Sequence, residues 1–350
     1  MFPLAFPYSI LKRHALPNEL VFDPFCGRGT TNFAGRMCGL PTIGIDSSPV
    51  AVAMSKAKLA NTTPDDIVRA AKRILYDIPV PSRTPRGEFW ELAFEKSVLK
   101  TLCRLRQGLE VNCRSHSRQA LRGIILGALH GPRPKTRLSY FSNQSPRTFS
   151  PKPSYAVKFW KKHKLFPEKV NVLDLIEERA KRYYQKDLAK SDGMIALGDS
   201  RVERLVELLV GDRRVNWIIT SPPYYGMRTY IPDQWLRMWF VGGSDSVDYS
   251  NENQLPHSSP TTFSAELKKV WQNAASVCSK KARMVIRFGG IPNRSASPSE
   301  IIEDSLTCSG WKVMTTKPAG RPESARRQAN HFSMGIHEAL EERDIWVARV

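Results

Sequence analysis

The chain has 350 residues, 41% of them hydrophobic, and 53 Lys and Arg against 33 Asp and Glu, a formal net charge of +20. That length and apolar content allow a sizeable core and argue against global disorder. So large a positive surplus favours a polyanionic partner, nucleic acid first, and no run reaches the eighteen or so apolar residues of a membrane span.

In chain order, Leu20-Val-Phe22 is a short apolar run that ends in Asp23-Pro24. Gly27 and Gly29 follow, and then a helical pattern to about Cys38. Pro41 to Ile45 reads as the next strand, closed by Asp46, and a helix runs from Pro49 to about Leu59. This is a strand–helix–strand–helix unit of an open α/β sheet. From Thr62 to Asp192 that alternation stops. Phe89 to about Leu109 and Ser117 to about His130 read as amphipathic helices. The stretch 131–167 contains no Asp or Glu and carries Arg133, Lys135, Arg137, Arg147, Lys152, Lys158, Lys161 and Lys162 among interleaved aromatics.

The α/β pattern resumes at Met194–Leu197, followed by Gly198-Asp199, a helix over about 202–210 and the strand Val215–Ile219. Helices near 233–240 and 265–277 and strands at 284–288, 311–314 and 345–349 complete the pattern. The expected fold is a seven-stranded, mostly parallel, Rossmann-like sheet carrying a basic, largely helical and loop insertion. The expected organisation is residues 1–61, an inserted region 62–190, and residues 191–350.

Six cysteines form no Cys-x-x-Cys pair and no His stands at metal-ligand spacing, so a structural zinc site is not expected. Scattered thiols and an N-terminus without a charged start before an apolar stretch fit a reducing cytoplasm. Four histidines, His130, His163, His257 and His331, read as structural or surface groups. Trp235 and Trp239, four apart, read as one helix face turned to a core.

Two segments carry chemistry. Asp23-Pro-Phe-Cys-Gly-Arg-Gly-Thr-Thr31 places a glycine turn between a strand and a helix. Such a turn lets backbone approach a small ligand, and the helix start offers free N–H groups. Asp46 at the end of the next strand can accept ribose hydroxyls, and Asp199 can reach an adenine amino group. The dinucleotide fingerprint wants a third glycine where Asn32 stands, and the P-loop's Gly-Lys-Ser/Thr is absent.

The second segment, Thr220-Ser-Pro-Pro-Tyr-Tyr225, sits at the C-terminal end of the fourth strand, where open α/β folds bind ligands. A base amine is a poor nucleophile because its lone pair is delocalised into the ring. Acceptors at Ser221 Oγ and the Pro222 carbonyl would localise that lone pair, and Pro222 and Pro223 stiffen the loop. Tyr224 can stack on a base that has left the helix. Pro-Pro-Tyr-Tyr also suits a groove-docking peptide, but those lie in exposed tails rather than after a buried strand.

At these residues the chain resembles the amino-group DNA methyltransferases, most of all the cytosine-N4 members with Ser-Pro-Pro-Tyr. The resemblance covers roughly 1–61 and 191–350. It implies S-adenosylmethionine as cofactor, held by Phe6, Asp23, Phe25, Gly27, Gly29, Thr30, Asp46 and Asp199. It implies a catalytic loop of Ser221, Pro222, Pro223 and Tyr224, with the basic insert recognising duplex DNA. It further implies a cytoplasmic prokaryotic or phage enzyme that acts as a monomer, often beside a cognate restriction endonuclease. Adenine-N6 transfer, for which Asp is commoner at the position of Ser221, stays open. So does transfer to guanine N2 in RNA, by enzymes that usually carry Asp or Asn there.

Overall fold

A computed structural model describes residues 2–131, 140–143, 153–185, 189–190, 192–226, 234–247, 255–290, 296–319 and 342–350. The chain divides into two compact units. One comprises Met1–Ser55, Ala189–Thr229 and Glu252–Val350; the other comprises Lys56–Leu188 and Tyr230–Asn251.

The first unit is the sheet. Its strands are β1 (Leu20–Asp23), β2 (Thr42–Asp46), β3 (Gly193–Leu197), β4 (Val215–Thr220), β5 (Cys278–Phe288), β6 (Trp311–Pro318) and β7 (Arg343–Arg349). Their order is β3-β2-β1-β4-β5-β7-β6. The first five run parallel, and β7 is antiparallel to both β5 and β6. The expected seven-stranded, mostly parallel sheet is therefore the fold observed. The strand order reverses between β1 and β4, so the carboxyl ends of those two strands open the crevice in which such folds hold ligands.

Burial explains why these segments form strands. Val21, Ile43, Ile45, Ile218 and Ile219 are fully buried, the near-continuous apolar pattern of a sheet covered on both faces. Helices of this unit are α1 (Ala5–His14), α2 (Thr30–Met37), α10 (Glu203–Val210), α12 (Pro260–Ser276) and α13 (Pro298–Leu306), and α3 (Pro49–Leu59) begins in it. On one face Phe263, Leu267 and Trp271 of α12 pack with Phe22, Ile218 and Met284. On the other, Phe6, Ile10 and Leu11 of α1 and Ala34 of α2 pack with Val21, Ile219 and Val285.

Several boundaries differ from the sequence reading. β5 starts at Cys278 rather than 284, because its first residues are polar and partly exposed and carry no apolar signal. The expected single helix over 89–109 is two, α5 (Glu88–Ala93) and α6 (Lys96–Val111). The Glu95 carboxylate caps the second by accepting from the Ser97 and Val98 amides, and the chain is extended at Phe94. The helix expected over 117–130 is α7 (His116–Ala128).

The second unit is helical among its described residues. It adds α4 (Pro64–Asp77), α8 (Pro153–Lys162), α9 (Val172–Tyr184) and α11 (Trp235–Phe240). Thr63 and Asp66 form a reciprocal capping box at the start of α4, and Pro64 occupies its first turn. An aromatic cluster anchors α11: Trp90 lies 5.6 Å from Trp235 and 4.7 Å from Trp239, and Phe89 lies 4.8 Å from Trp235. Trp235 and Trp239 do share one buried helix face. Their partners belong to α5, which places α11 with the inserted helices. Among the described residues no helix is long and apolar enough to cross a membrane.

Candidate active site

The two chemistry-bearing segments meet at the carboxyl ends of β1 and β4. Asp23 ends β1 and Thr220 ends β4, and both are buried. Thr220 Oγ1 donates to Asp23 Oδ1 at 2.7 Å. Eight residues after Asp23, Thr31 Oγ1 donates to the Ile219 carbonyl at 2.9 Å. Residues 197 and 188 apart are thus joined by two side-chain hydrogen bonds. No spacing in the sequence signals either contact.

The turn is built around two glycines in the left-handed region, Gly27 at φ +52° and Gly29 at φ +69°. A Cβ on Gly29 would lie 2.7 Å from Ser55 Oγ and 3.0 Å from Ser55 Cα, so only hydrogen fits there. Ser55 Oγ in turn donates to the Gly27 carbonyl at 2.8 Å. Asp46 Oδ2 accepts from the Gly27 amide at 2.9 Å and Oδ1 from the Ser48 amide at 2.8 Å. Burial lifts the Asp46 carboxyl above the usual range, and those two amides pull it partly back. Thr30 is the first residue of α2 and is buried.

The Asp23 carboxyl of the site is strongly perturbed. Burial raises it from 3.8 to about 6, against the hydrogen bonds from Thr220 and Phe25. Its Oδ1 serves Thr220 and the Phe25 amide, while Oδ2 is buried and has no donor. Thr31 lies close enough to favour the charged form, yet its single hydroxyl proton is already given to Ile219. An orphaned carboxylate oxygen beneath a glycine turn asks for a proton or a cation.

Phe25 is partly buried and packs edge-on to Trp271 at 6.1 Å. Ser200 Oγ donates to the Pro24 carbonyl at 2.7 Å, which ties the loop after β3 to the turn. Asp199 sits on that loop, but both of its oxygens are engaged by Arg201, at 2.6 to 3.0 Å. Burial opposes its ionisation, and Arg201 outweighs that and holds the carboxyl below its usual range. Arg201 is bonded to Glu266 as well. This ion cluster was not visible in the sequence. Phe6 is buried on α1, where its ring lies under the Arg287 guanidinium at 3.7 Å and beside Phe2. The Arg287 guanidinium is itself held by Asp344 through two bonds of 2.7 Å.

Of the catalytic loop, Pro222 is buried and Ser221, Pro223 and Tyr224 are half-buried. Two residues outside the motif fix its far end. Tyr224 Oη donates to Glu342 Oε1 at 2.7 Å, and the Gly226 amide donates to His257 Nδ1 at 3.0 Å. Neither partner was predicted as a site residue. Cys26 lies within the turn, but burial pushes its thiol well above the ordinary cysteine value, so it is no ready nucleophile.

In the basic insert, Lys158, Lys161 and Lys162 are exposed on α8, and Lys161 also pairs with Glu88. Phe141 and Trp160 are buried, which takes two of the insert's aromatics away from any contact with bases. Arg133, Lys135, Arg137, Arg147 and Lys152 lie outside the described residues. Arg237 donates to the Leu126 carbonyl and to Gln234, an internal role.

The residues present fit S-adenosylmethionine. Asp46 stands at the end of β2, where ribose hydroxyls are accepted. The Gly27–Gly29 cradle excludes side chains, and the orphaned Asp23 Oδ2 matches a ligand ammonium.

Residues 1–57 match the DNA methylase family model N6_N4_Mtase. A search of curated proteins finds no match. Among solved structures, the chain is similar to the rRNA methyltransferase aviRa from Streptomyces viridochromogenes, at 12% identity and a TM-score of 0.38, covering 99% of this chain and 85% of that one. It is also similar to a TehB-like SAM-dependent methyltransferase from Corynebacterium glutamicum, at 8% identity and a TM-score of 0.36, covering 98% and 87%. A third is the magnesium protoporphyrin IX methyltransferase of Synechocystis PCC 6803 with bound SAM, at 10% identity and a TM-score of 0.35, covering 99% and 77%. The strand order and the turn are those of an open, Rossmann-like α/β sheet with a glycine turn at its switch point.

Proposed function

We propose that the protein methylates the N4 amine of cytosine in duplex DNA by base flipping and direct transfer. The observation that carries this reading is the junction of Asp23 with Thr220, which sets the cofactor turn beside Ser221-Pro-Pro-Tyr224. When bound, S-adenosylmethionine supplies an electrophilic methyl group on its sulfonium.

The chain's own residues do the rest. Asp46 orients the ribose, and Asp23 pairs with the ammonium of the methionine end. Ser221 Oγ and the Pro222 carbonyl accept the two N–H bonds of the target amine, so its lone pair points at the methyl group. Tyr224 stacks on the flipped ring. No covalent enzyme intermediate is needed, in keeping with the inert Cys26. Ser rather than Asp at position 221 favours cytosine N4 over adenine N6.

The surplus of +20 and the exposed lysines of α8 support a nucleic-acid partner, with residues 62–190 as the target-recognition region. In this reading the enzyme is a cytoplasmic monomer of a prokaryote or phage, working in a restriction–modification setting. Incubation with methyl-labelled cofactor tests the substrate class. Label entering duplex DNA and not RNA is the expected result, and label entering RNA alone would overturn it in favour of a guanine-N2 enzyme.

A further inference from the structure

We infer that Glu342, from the far end of the chain, is a positioning residue that fixes the ring of Tyr224 over the target base. β7 runs antiparallel to β5, so its start lies at the carboxyl ends of the parallel strands, where the catalytic loop emerges. Glu342 immediately precedes that strand and is 7% exposed. Its carbonyl accepts from the Ala319 amide at 2.8 Å, which closes the β6–β7 ladder and sets where the side chain starts.

From there its carboxylate takes the Tyr224 hydroxyl at 2.7 Å. The other side of the ring meets Phe288, with centroids 5.3 Å apart and planes at 74°. Gly289 makes room for both: a Cβ there would lie 3.1 Å from Glu342 Cγ and 3.5 Å from Tyr224 Cε2. A phenol tethered at its hydroxyl and packed edge-on has one orientation before any base arrives. Stacking then costs little ordering, which is how a pre-set group raises turnover. A buried carboxylate is expensive unless hydrogen-bonded, and the Tyr224 hydroxyl is one of the partners that Glu342 has.

The role in catalysis rests on Tyr224 holding the base, as proposed above; the fixing of the loop does not. The test uses the full-length protein with Glu342→Ala, Glu342→Gln, Tyr224→Phe and the Tyr224→Phe/Glu342→Ala pair. In Glu342→Ala, amide hydrogen exchange across Tyr224–Gly226 should quicken about tenfold while that across Asp23–Thr31 stays unchanged. Turnover should fall about threefold to tenfold, the loss of one hydrogen bond, with cofactor affinity within about twofold. Glu342→Gln should restore most of both effects, since its carboxamide oxygen still accepts. The pair should be no slower than Tyr224→Phe alone.

Unchanged exchange at Tyr224–Gly226, no rescue by Gln, or a further loss in the pair would each overturn the inference. A wild-type protein that methylates no nucleic acid would refute the proposed function instead, and exchange would still decide whether Glu342 fixes the loop.

Discussion

Thr220→Val removes one hydroxyl from a fully buried position and replaces it with a methyl group of the same shape. Among the described residues, the bond lost is the one to Asp23 Oδ1 at 2.7 Å. Its worth depends on the charge of Asp23. Burial raises that carboxyl from 3.8 to about 6, so between those values the folded protein holds a proton that the unfolded chain has released. This group therefore costs nothing below about pH 3.8, and the fold loses stability as pH rises through about 6, by about 3 kcal/mol in full.

Without Thr220 the charged form loses a donor and the cost grows. At pH 7.5 the lost bond is to a carboxylate, about 1.5–3 kcal/mol; at pH 5 it is to a mostly neutral carboxyl, about 0.5–1.5 kcal/mol. Urea unfolding of wild type and variant at both pH values should thus show a loss larger at pH 7.5 by about 1–2 kcal/mol. Equal losses would mean that Thr220 does not support a charged Asp23, and the link between the two segments would have to be read as packing alone.

The remaining expectations concern the site and its partner. Because Asp23 must be ionised to pair with an ammonium, cofactor affinity measured by calorimetry should weaken as pH falls below about 6, by up to about tenfold per pH unit; a flat profile from pH 5 to 8 would remove Asp23 from that role. Gly29→Ala forces a Cβ against both the side chain and Cα of Ser55 at a left-handed φ, and should cost about 1–3 kcal/mol and more than about tenfold in cofactor affinity. Ser221→Ala should leave cofactor binding within about twofold and lower turnover about a hundredfold to a thousandfold, as when one charge-stabilising contact is lost. Neutralising Lys158, Lys161 and Lys162 together should reduce the salt slope of DNA binding by up to about three, and an unchanged slope would place α8 away from DNA.

β1, β2 and β3 were legible because each is a short, largely apolar run that stops at Asp23, Asp46 or Gly198. The Gly27–Gly29 turn with Asp46, and the Ser221–Tyr224 loop, could be read from residue type and spacing because those positions obey local backbone rules. What escaped was either locally camouflaged or long-range. The polar opening of β5 lacks the apolar signal of a strand. The break between α5 and α6 turns on Glu95 as a cap inside an otherwise helical pattern. α4 did announce itself through Thr63, Pro64 and Asp66, a capping signature easily passed over in a segment without strands. The bonds of Thr220 to Asp23, Tyr224 to Glu342 and Gly226 to His257 join residues distant in sequence, and no local pattern encodes them. Arg201 occupies Asp199 for the converse reason: a neighbour two residues away can fold back on a carboxylate that spacing alone assigns to a ligand.

The central claim, amine methylation of a flipped cytosine, is tested most directly by mass spectrometry of nucleosides. Duplex DNA is incubated with the purified protein and S-adenosylmethionine carrying a deuterated methyl group, then digested. Deuterated N4-methylcytosine, formed about a hundredfold or more slowly with Ser221→Ala, is the predicted product. Deuterated N6-methyladenine would keep the mechanism and contradict the role given to Ser221, and no deuterated deoxynucleoside at all would contradict the claim itself.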